Sequence, residues 1–203
     1  DTKNLLERSE WKERCKIIQH PNNRGLAATR NSGIKTATGD ILIFLDCDIE
    51  VRTDFISRHV ELCKKPQIIG ILSNIRTRKP VAKNKFYRYI FFGKRGARVI
   101  GTNKPLPFNY FILGCTSIKS YALKKTGKFN EMLCKYGGED LEFAYRLGKN
   151  YPEGLFYSED INVYMHNVKT LEEALSNYNQ YGQYNVPIIL KQFPELAPHM
   201  AAD

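Results

Sequence analysis

Apolar residues along the chain gather in short runs between charged and breaker-rich stretches, and two kinds of run alternate. The run Ile41-Leu42-Ile43-Phe44-Leu45, opened by Gly39-Asp40, is continuous and partly β-branched, and it predicts a buried strand. Shorter runs predict strands at Cys15 to Gln19, Ile68 to Ser73, Tyr110 to Cys115 and Ile161 to Met165. Between them the apolar spacing is helical. Leu5, Leu6 and Trp11 mark a helix over Asp1 to Arg14, and Ala27, Arg30, Ile34 and Ala37 one over Leu26 to Thr36. Thr53 is placed to cap a helix whose apolar side is Phe55, Ile56, His59, Val60 and Cys63. Further helices are predicted from Ser120 to Thr126, ended by Gly127, and from Glu139 to Leu147, with Gly148 as C-cap. Thr170-Leu171-Glu172-Glu173 reads as a capping box for a last helix reaching about Gly182. Strand and helix in this order predict an α/β fold with helices covering a mixed sheet.

Composition narrows the picture little. At 203 residues the chain suits one domain with a substantial core, and no repeat or low-complexity tract divides it. No apolar run approaches the roughly 20 residues of a membrane span. The polar start Asp1-Thr2-Lys3-Asn4 has no signal-peptide apolar region. Five cysteines without Cys-x-x-Cys spacing, and no Asn-x-Ser/Thr sequon, favour a reducing compartment over a disulfide or zinc framework. The net charge of +10 invites anionic partners: nucleic acid, a membrane surface or phosphorylated substrates. Lys83 to Val99 is aromatic and basic, with Phe86, Tyr87, Tyr89, Phe91 and Phe92 among six Lys/Arg. It reads either as a segment meeting anionic lipid or as an acceptor-side element packed on the core.

Three constellations carry candidate chemistry. Asp46-Cys47-Asp48 ends the Ile41 to Leu45 strand and brings two carboxylates to its carboxyl edge, where ligands of open α/β sheets bind. Two such carboxylates repel unless a cation lies between them, and hard divalent ions take oxygen donors of this kind together with substrate phosphates. A solvated turn is the other reading of the same residues. Tyr136-Gly137-Gly138-Glu139-Asp140 delivers two acids to a helix N-terminus, where the dipole favours the carboxylate form and suits a base; plain helix capping is the alternative. His166 follows an apolar strand, as a ligand or as a packed or surface histidine.

Taken in order, these blocks resemble the inverting GT-A glycosyltransferases, most closely glycosyltransferase family 2. Asn23 to Ile34, then Ala37-Thr38-Gly39-Asp40, is similar to that family's approach to its Asp-x-Asp strand, and Leu45 to Ile49 to the Asp-x-Asp itself. Thr126 to Glu131 followed by Gly137-Gly138-Glu139-Asp140-Leu141-Glu142 resembles the acceptor-side block, and also the Gly-Gly-Glu-Asp stretch of β-1,4-galactosyltransferases and chondroitin-polymerase-like enzymes. The resemblance implies a Rossmann-like mixed sheet with flanking helices. It also implies an opening strand–helix–strand unit, with acidic residues for base and ribose, that has no counterpart ahead of Asp1.

The function so implied is metal-dependent transfer of a sugar from UDP, of the galactose, N-acetylgalactosamine or glucose type, to a carbohydrate or lipid-linked acceptor. By resemblance a divalent cation (Mn2+ or Mg2+) is held by Asp46, Asp48 and His166, and the donor by Arg30, Asp46 and Asp48. Asp140 is implied as general base with Glu139 beside it, and Gly138, Glu139 and Tyr136 as acceptor contacts. Residues 1–50 would be the remaining donor half, 51–168 the acceptor half and 169–203 a helical tail of one catalytic domain. The cysteine usage points to the cytoplasm, with peripheral contact at the inner membrane face as one reading of Lys83 to Val99. The alternative is a non-catalytic module binding nucleotide-sugar or nucleic acid. Acids at Asp46, Asp48 and Asp140 work against nucleic acid, so none is expected as partner. A glycosidase would need two facing carboxylates about 5–10 Å apart, and a nucleotidyltransferase would form nucleoside triphosphate from pyrophosphate.

Overall fold

The computed structural model describes Asn4 and residues 13–78 and 84–200. The helix expected over Asp1 to Arg14 lies almost wholly outside the described residues, as does Lys83. Among the described residues five strands form one mixed sheet: β1 (Ile41–Leu45), β2 (Ile49–Glu50), β3 (Gly70–Arg76), β4 (Cys115–Lys119) and β5 (Leu155–Met165). Their order is β1-β4-β3-β5-β2. β4 runs antiparallel to both β1 and β3, while β3 and β5 are parallel and β2 is antiparallel to β5. The carboxyl ends of β1, β3 and β5 therefore meet at one edge, joined there by the amino ends of β4 and β2.

Helices cover both faces. On one, α1 (Gly25–Thr36), α5 (Ser120–Thr126) and α6 (Glu139–Asn150) bury Ala27, Ala122, Leu123, Phe143 and Leu147 against Leu72, Ile118 and Phe111. On the other, α2 (Phe55–Cys63) sets Phe55 and Cys63 against Ile49, Ile71, Cys115 and Val163. Two short helices, α3 (Lys85–Phe92) and α4 (Ala97–Ile100), come between β3 and β4. After β5, α7 (Leu171–Gln180) passes through a π-helical turn, Tyr181–Asn185, into α8 (Val186–Gln192). The capping box at Thr170 and Glu173 is formed as expected.

Four local expectations are corrected. Cys15 to Gln19 is not a strand; it has no ladder partner among the described residues, and Ile17 and Ile18 stay over 40% exposed. A strand needs a neighbour for its backbone groups, and β1 pairs only with β4 among the described residues. The strand expected at Tyr110 to Cys115 begins at Cys115 instead, following a 3-10 turn at Phe108–Tyr110. Its polar members are buried with partners: Thr116 Oγ1 donates to the Ile112 carbonyl at 2.6 Å, and Ser117 meets His59. Gly148 lies inside α6, which continues to Asn150. Thr53 does not cap α2, whose N-cap is Asp54.

Beneath α2 lies a closed polar network. His59 is fully buried, with Nδ1 2.8 Å from Ser117 Oγ and Nε2 3.0 Å from Ser73 Oγ. Cys63 and Cys115 each lie 3.4 Å from one of these hydroxyls. Burial pushes the His59 pKa from 6.5 down to about 4, so the folded protein holds it neutral. The unfolded chain takes up that proton more readily, so the stability His59 contributes is whole above pH 6.5 and is lost as pH falls towards 4. The full loss is about 3 kcal/mol. Urea unfolding across this window should show the decline, and the part due to His59 should vanish in His59→Gln; an unchanged slope in that variant would refute the assignment.

Candidate active site

At the carboxyl edge of the sheet the chain leaves β1 at Asp46. The Asp46 N–H donates to the Gly114 carbonyl at 2.8 Å, continuing the β1–β4 ladder one step into the turn. A Cβ on Gly114 would lie 2.9 Å from Asp46 Oδ2, so only glycine leaves this carboxylate its position. Gly114 carries no recognisable local signal; its role comes from a strand far away in sequence. Burial raises the Asp46 pKa above its ordinary value, opposed by Arg30 and Lys169 and assisted by Asp48 and Asp140. These electrostatic neighbours place Asp46, Asp48, Asp140, Arg30 and Lys169 around one site.

The second half of the site is the N-terminus of α6. Gly138 takes a left-handed conformation (φ +88°), and a Cβ there would fall 2.6 Å from Tyr181 and 2.8 Å from Ile189. Its part is thus to let the turn press against the C-terminal helices. Glu139 follows, nearly sealed from solvent, and accepts a 2.6 Å bond from Arg30 Nη1; the two side chains are 3% and 10% exposed. The other carboxylate oxygen, Oε2, is buried without a hydrogen-bond partner. Burial and then the Asp140 charge raise the Glu139 pKa to about 7, against the pull of Arg30. The helix dipole was expected to keep this acid ionised; desolvation outweighs it. Arg30 is accordingly no surface arginine.

Asp140 spends one oxygen on the N–H of Leu141 at 3.0 Å, a local bond of the capping kind. Tyr136 is 40% exposed, and its phenol pKa is raised by partial burial and by Asp140, Glu139 and Asp46. The Lys169 ammonium sits 4.2 Å from the centre of its ring. Asp46, Tyr136, Glu139 and Asp140 are therefore brought together in the structure.

His166 is only partly joined to them. Its N–H donates to the Asp48 carbonyl at 2.9 Å, which fixes the backbones side by side. The imidazole, 62% exposed, turns instead to Glu50, with Nε2 2.9 Å from Oε2, and Glu50 also accepts from Arg78. Among the described residues, no three His, Cys, Asp or Glu side chains close into a metal cage. The donor set nonetheless fits a hard divalent cation. Mutually repelling carboxylates at Asp46 and Asp48 would supply oxygen ligands to such an ion, and two-carboxylate sites of this kind leave coordination positions to substrate phosphates.

The Gly-Gly turn is held by a residue with no signature in the sequence. Asn185, on the π-helical turn, is buried, and its Nδ2 lies 3.1, 3.4 and 2.7 Å from the carbonyls of Lys135, Tyr136 and Gly137. π-helical turns are frequent at functional sites.

Comparison with known proteins agrees with this geometry. The family model described as "Glycosyl transferase family 2" matches residues 1–125. The chain belongs to this family. It is 25% identical over 188 residues to the pre-mycofactocin glycosyltransferase of Mycobacterium tuberculosis, covering 90% of this chain and 38% of that protein. It is 26% identical over 184 residues to the chondroitin synthase of Pasteurella multocida, covering 75% of this chain and 19% of that one. The chain thus spans well under half the length of these relatives. Among solved structures it resembles the mannosyltransferase PcManGT of Pyrobaculum calidifontis in complex with GDP-Man and Mn2+. There the TM-score is 0.59 at 18% identity, over 95% of this chain and 54% of that one. The S. aureus TarS 1-349 complex with UDP-GlcNAc gives a TM-score of 0.61 at 16% identity, over 93% and 54%. GalNAc-T7 with UDP, GalNAc and Mn2+ gives 0.56 at 15% identity, over 79% and 35%. The fold is GT-A.

Two outcomes test the site's electrostatics and support. The raised Glu139 pKa means the folded state keeps a proton that the unfolded state gives up. Burying this acid therefore costs nothing at low pH and destabilises progressively as pH rises from 4.5 towards 7. Thermal melting should show Glu139→Gln gaining stability relative to wild type as pH is raised through this range, and a constant difference would contradict it. Asn185→Ala should lower unfolding stability by about 1–3 kcal/mol, since partly buried carbonyls lose their donor. A loss below a few tenths, measured by urea unfolding, would show that the turn holds itself.

Proposed function

We propose that this chain is the catalytic domain of an inverting, metal-dependent glycosyltransferase moving a hexosyl residue from a UDP-sugar to a carbohydrate or lipid-linked acceptor. The observation carrying this reading is the convergence of Asp46, Asp48 and Asp140 at the carboxyl edge of the sheet. UDP is favoured because two structural relatives hold it or its sugar conjugate, and GDP, held by PcManGT, is the competing nucleotide.

Asp46, Asp48 and His166 are the residues that would hold the cation, His166 through the ring nitrogen not engaged by Glu50. When bound, a divalent ion supplies positive charge that neutralises the departing diphosphate. Asp140 takes the proton of the acceptor hydroxyl as that oxygen attacks the anomeric carbon. The bond from carbon to the diphosphate oxygen breaks in the same displacement, so UDP leaves from the opposite face and the configuration inverts. Glu139, pinned by Arg30, orients hydroxyls at the seam between donor and acceptor. Tyr136, with the Lys169 ammonium against its ring, gives an aromatic surface beside Asp140 on which an acceptor sugar stacks.

Calorimetric titration should show UDP binding that requires Mn2+ and is abolished in Asp48→Ala. Asp140→Asn should keep that binding while transfer falls by about 10²–10⁴-fold, the usual worth of a general base. GDP binding in place of UDP would reassign the donor. Loss of nucleotide binding in Asp140→Asn would remove that residue from the role of base. A wild-type protein that binds nucleotide but transfers to no acceptor would favour a binding module.

A further inference from the structure

Four of the partly buried arginines among the described residues, Arg30, Arg76, Arg98 and Arg146, fall into two pairs. Arg30 and Arg146 each face a buried carboxylate, Glu139 and Glu142, at 2.6 Å. Arg76 and Arg98 are also partly buried and have no carboxylate partner among the described residues. Arg98 Nη2 donates to the Ile90 carbonyl at 2.6 Å, and its Nε is buried without any hydrogen bond. Arg76 packs its guanidinium 5.9 Å from the centre of the Phe92 ring. In the orientation that satisfies both ends of the Asn74 amide, Arg76 donates to Asn74 at 3.0 and 3.2 Å, and Asn74 donates to the Tyr157 hydroxyl at 2.8 Å. Arg95, on the same segment, lies 4.8 Å from the Tyr89 ring. Burial, followed by the charges of Arg76 and Arg95, lowers the Arg98 pKa, so these cations work against one another. Glu159 bears on Tyr157 but forms no ion pair with either arginine.

The position of this group is telling. Arg76 is the last residue of β3 and lies in register with Tyr164, which itself pairs with Glu50, two positions before His166 in β5. The cluster thus stands at the same sheet edge as Asp46 and Asp48, on the side covered by α3 and α4. Half-buried cations without a counter-ion are unfavourable unless an anion completes them. The arginine fork matches carboxylate and phosphate oxygens in pairs.

We propose that Arg76 and Arg98 form a subsite for an anionic group, carboxylate or phosphate, carried by the acceptor. The acceptor part of this statement rests on the transferase reading above; the anion subsite rests on the arginines alone. An acidic glycan or a phosphate-bearing chain presents this shared chemistry.

The test titrates glucuronic acid and glycerol 1-phosphate, with glucose as neutral control, against three forms of the protein. These are the wild type, Arg76→Gln with Arg98→Gln, and Lys64→Gln with Lys65→Gln. The lysine pair sits at the opposite sheet edge, where Lys119 from the far end of β4 donates to the Lys65 carbonyl, and it removes the same charge. Wild type and lysine variant should bind one or both anions and not glucose, and the arginine variant should bind about tenfold more weakly or worse. Its Mn2+-dependent UDP binding should be unchanged. The proposal is overturned by equal weakening in the lysine variant, by no anion binding in the wild type, or by loss of UDP binding in the arginine variant, which would make the arginines donor contacts. Binding confined to phosphatidylglycerol vesicles would overturn it in favour of a membrane surface. Anion binding that persists when the wild type binds no nucleotide would leave the subsite standing and sink the transferase reading. If Arg98→Gln does not fold, Arg76→Gln alone carries the same comparison.

Discussion

The buried ion pair between Arg30 and Glu139 is the contact on which the site depends. It ties the middle of α1 to the first turn of α6, elements more than a hundred residues apart in sequence. Neighbouring bonds act in the same sense. Asn31 grips both backbone groups of Phe129, at 2.9 and 3.0 Å, and donates to Glu131, which also accepts from Arg24. Phe129 stacks on Phe143 of α6 with ring centres 4.1 Å apart, and Arg30 lies over the Phe129 ring. The segment leading to the Gly-Gly turn is thereby docked on α1 before the turn begins. Removing Arg30 would leave the buried Glu139 carboxyl with neither oxygen held by a side chain.

Glu139 also shows how one position serves structure and chemistry. Its first oxygen holds Arg30, and its second is buried without a partner. A native protein leaves few such atoms unsatisfied, and in the proposed site this one would accept from a ligand hydroxyl. Behind it, Tyr181, Asn185 and Ile189 press the turn forward. The carboxylates that follow β1, proposed as the donor side, and Asp140 on α6, proposed as the acceptor side, are therefore held by different bodies of the fold, the sheet and the C-terminal helices. Their meeting point is where a glycosyl group would pass from one to the other.

Legibility from sequence followed the reach of each interaction. The β1 strand, the α5 and α7 helices and the Thr170 capping box are specified by neighbours within a turn or two, and they stand where the pattern placed them. The strand expected at Cys15 to Gln19 failed because a strand is completed by another chain segment, which the apolar run cannot supply. The beginning of β4 was missed because Thr116 and Ser117 look like turn residues until Ile112 and His59 satisfy their hydroxyls.

The same division holds for the site. The sequence by itself determined the family-like order of its blocks, the α/β class, and the residue types offered for chemistry: Asp46, Asp48, Glu139 and Asp140. Tertiary structure alone decided which carboxylate would be buried and kept near neutrality, which histidine would turn to Glu50, and which two arginines would be left without an acid. It also gave Gly114 and Asn185 their roles, through contacts with Asp46 and with the carbonyls of Lys135, Tyr136 and Gly137. Charge type and helical or strand period are carried by adjacent residues, whereas desolvation and pairing depend on what the rest of the chain brings within a few ångströms.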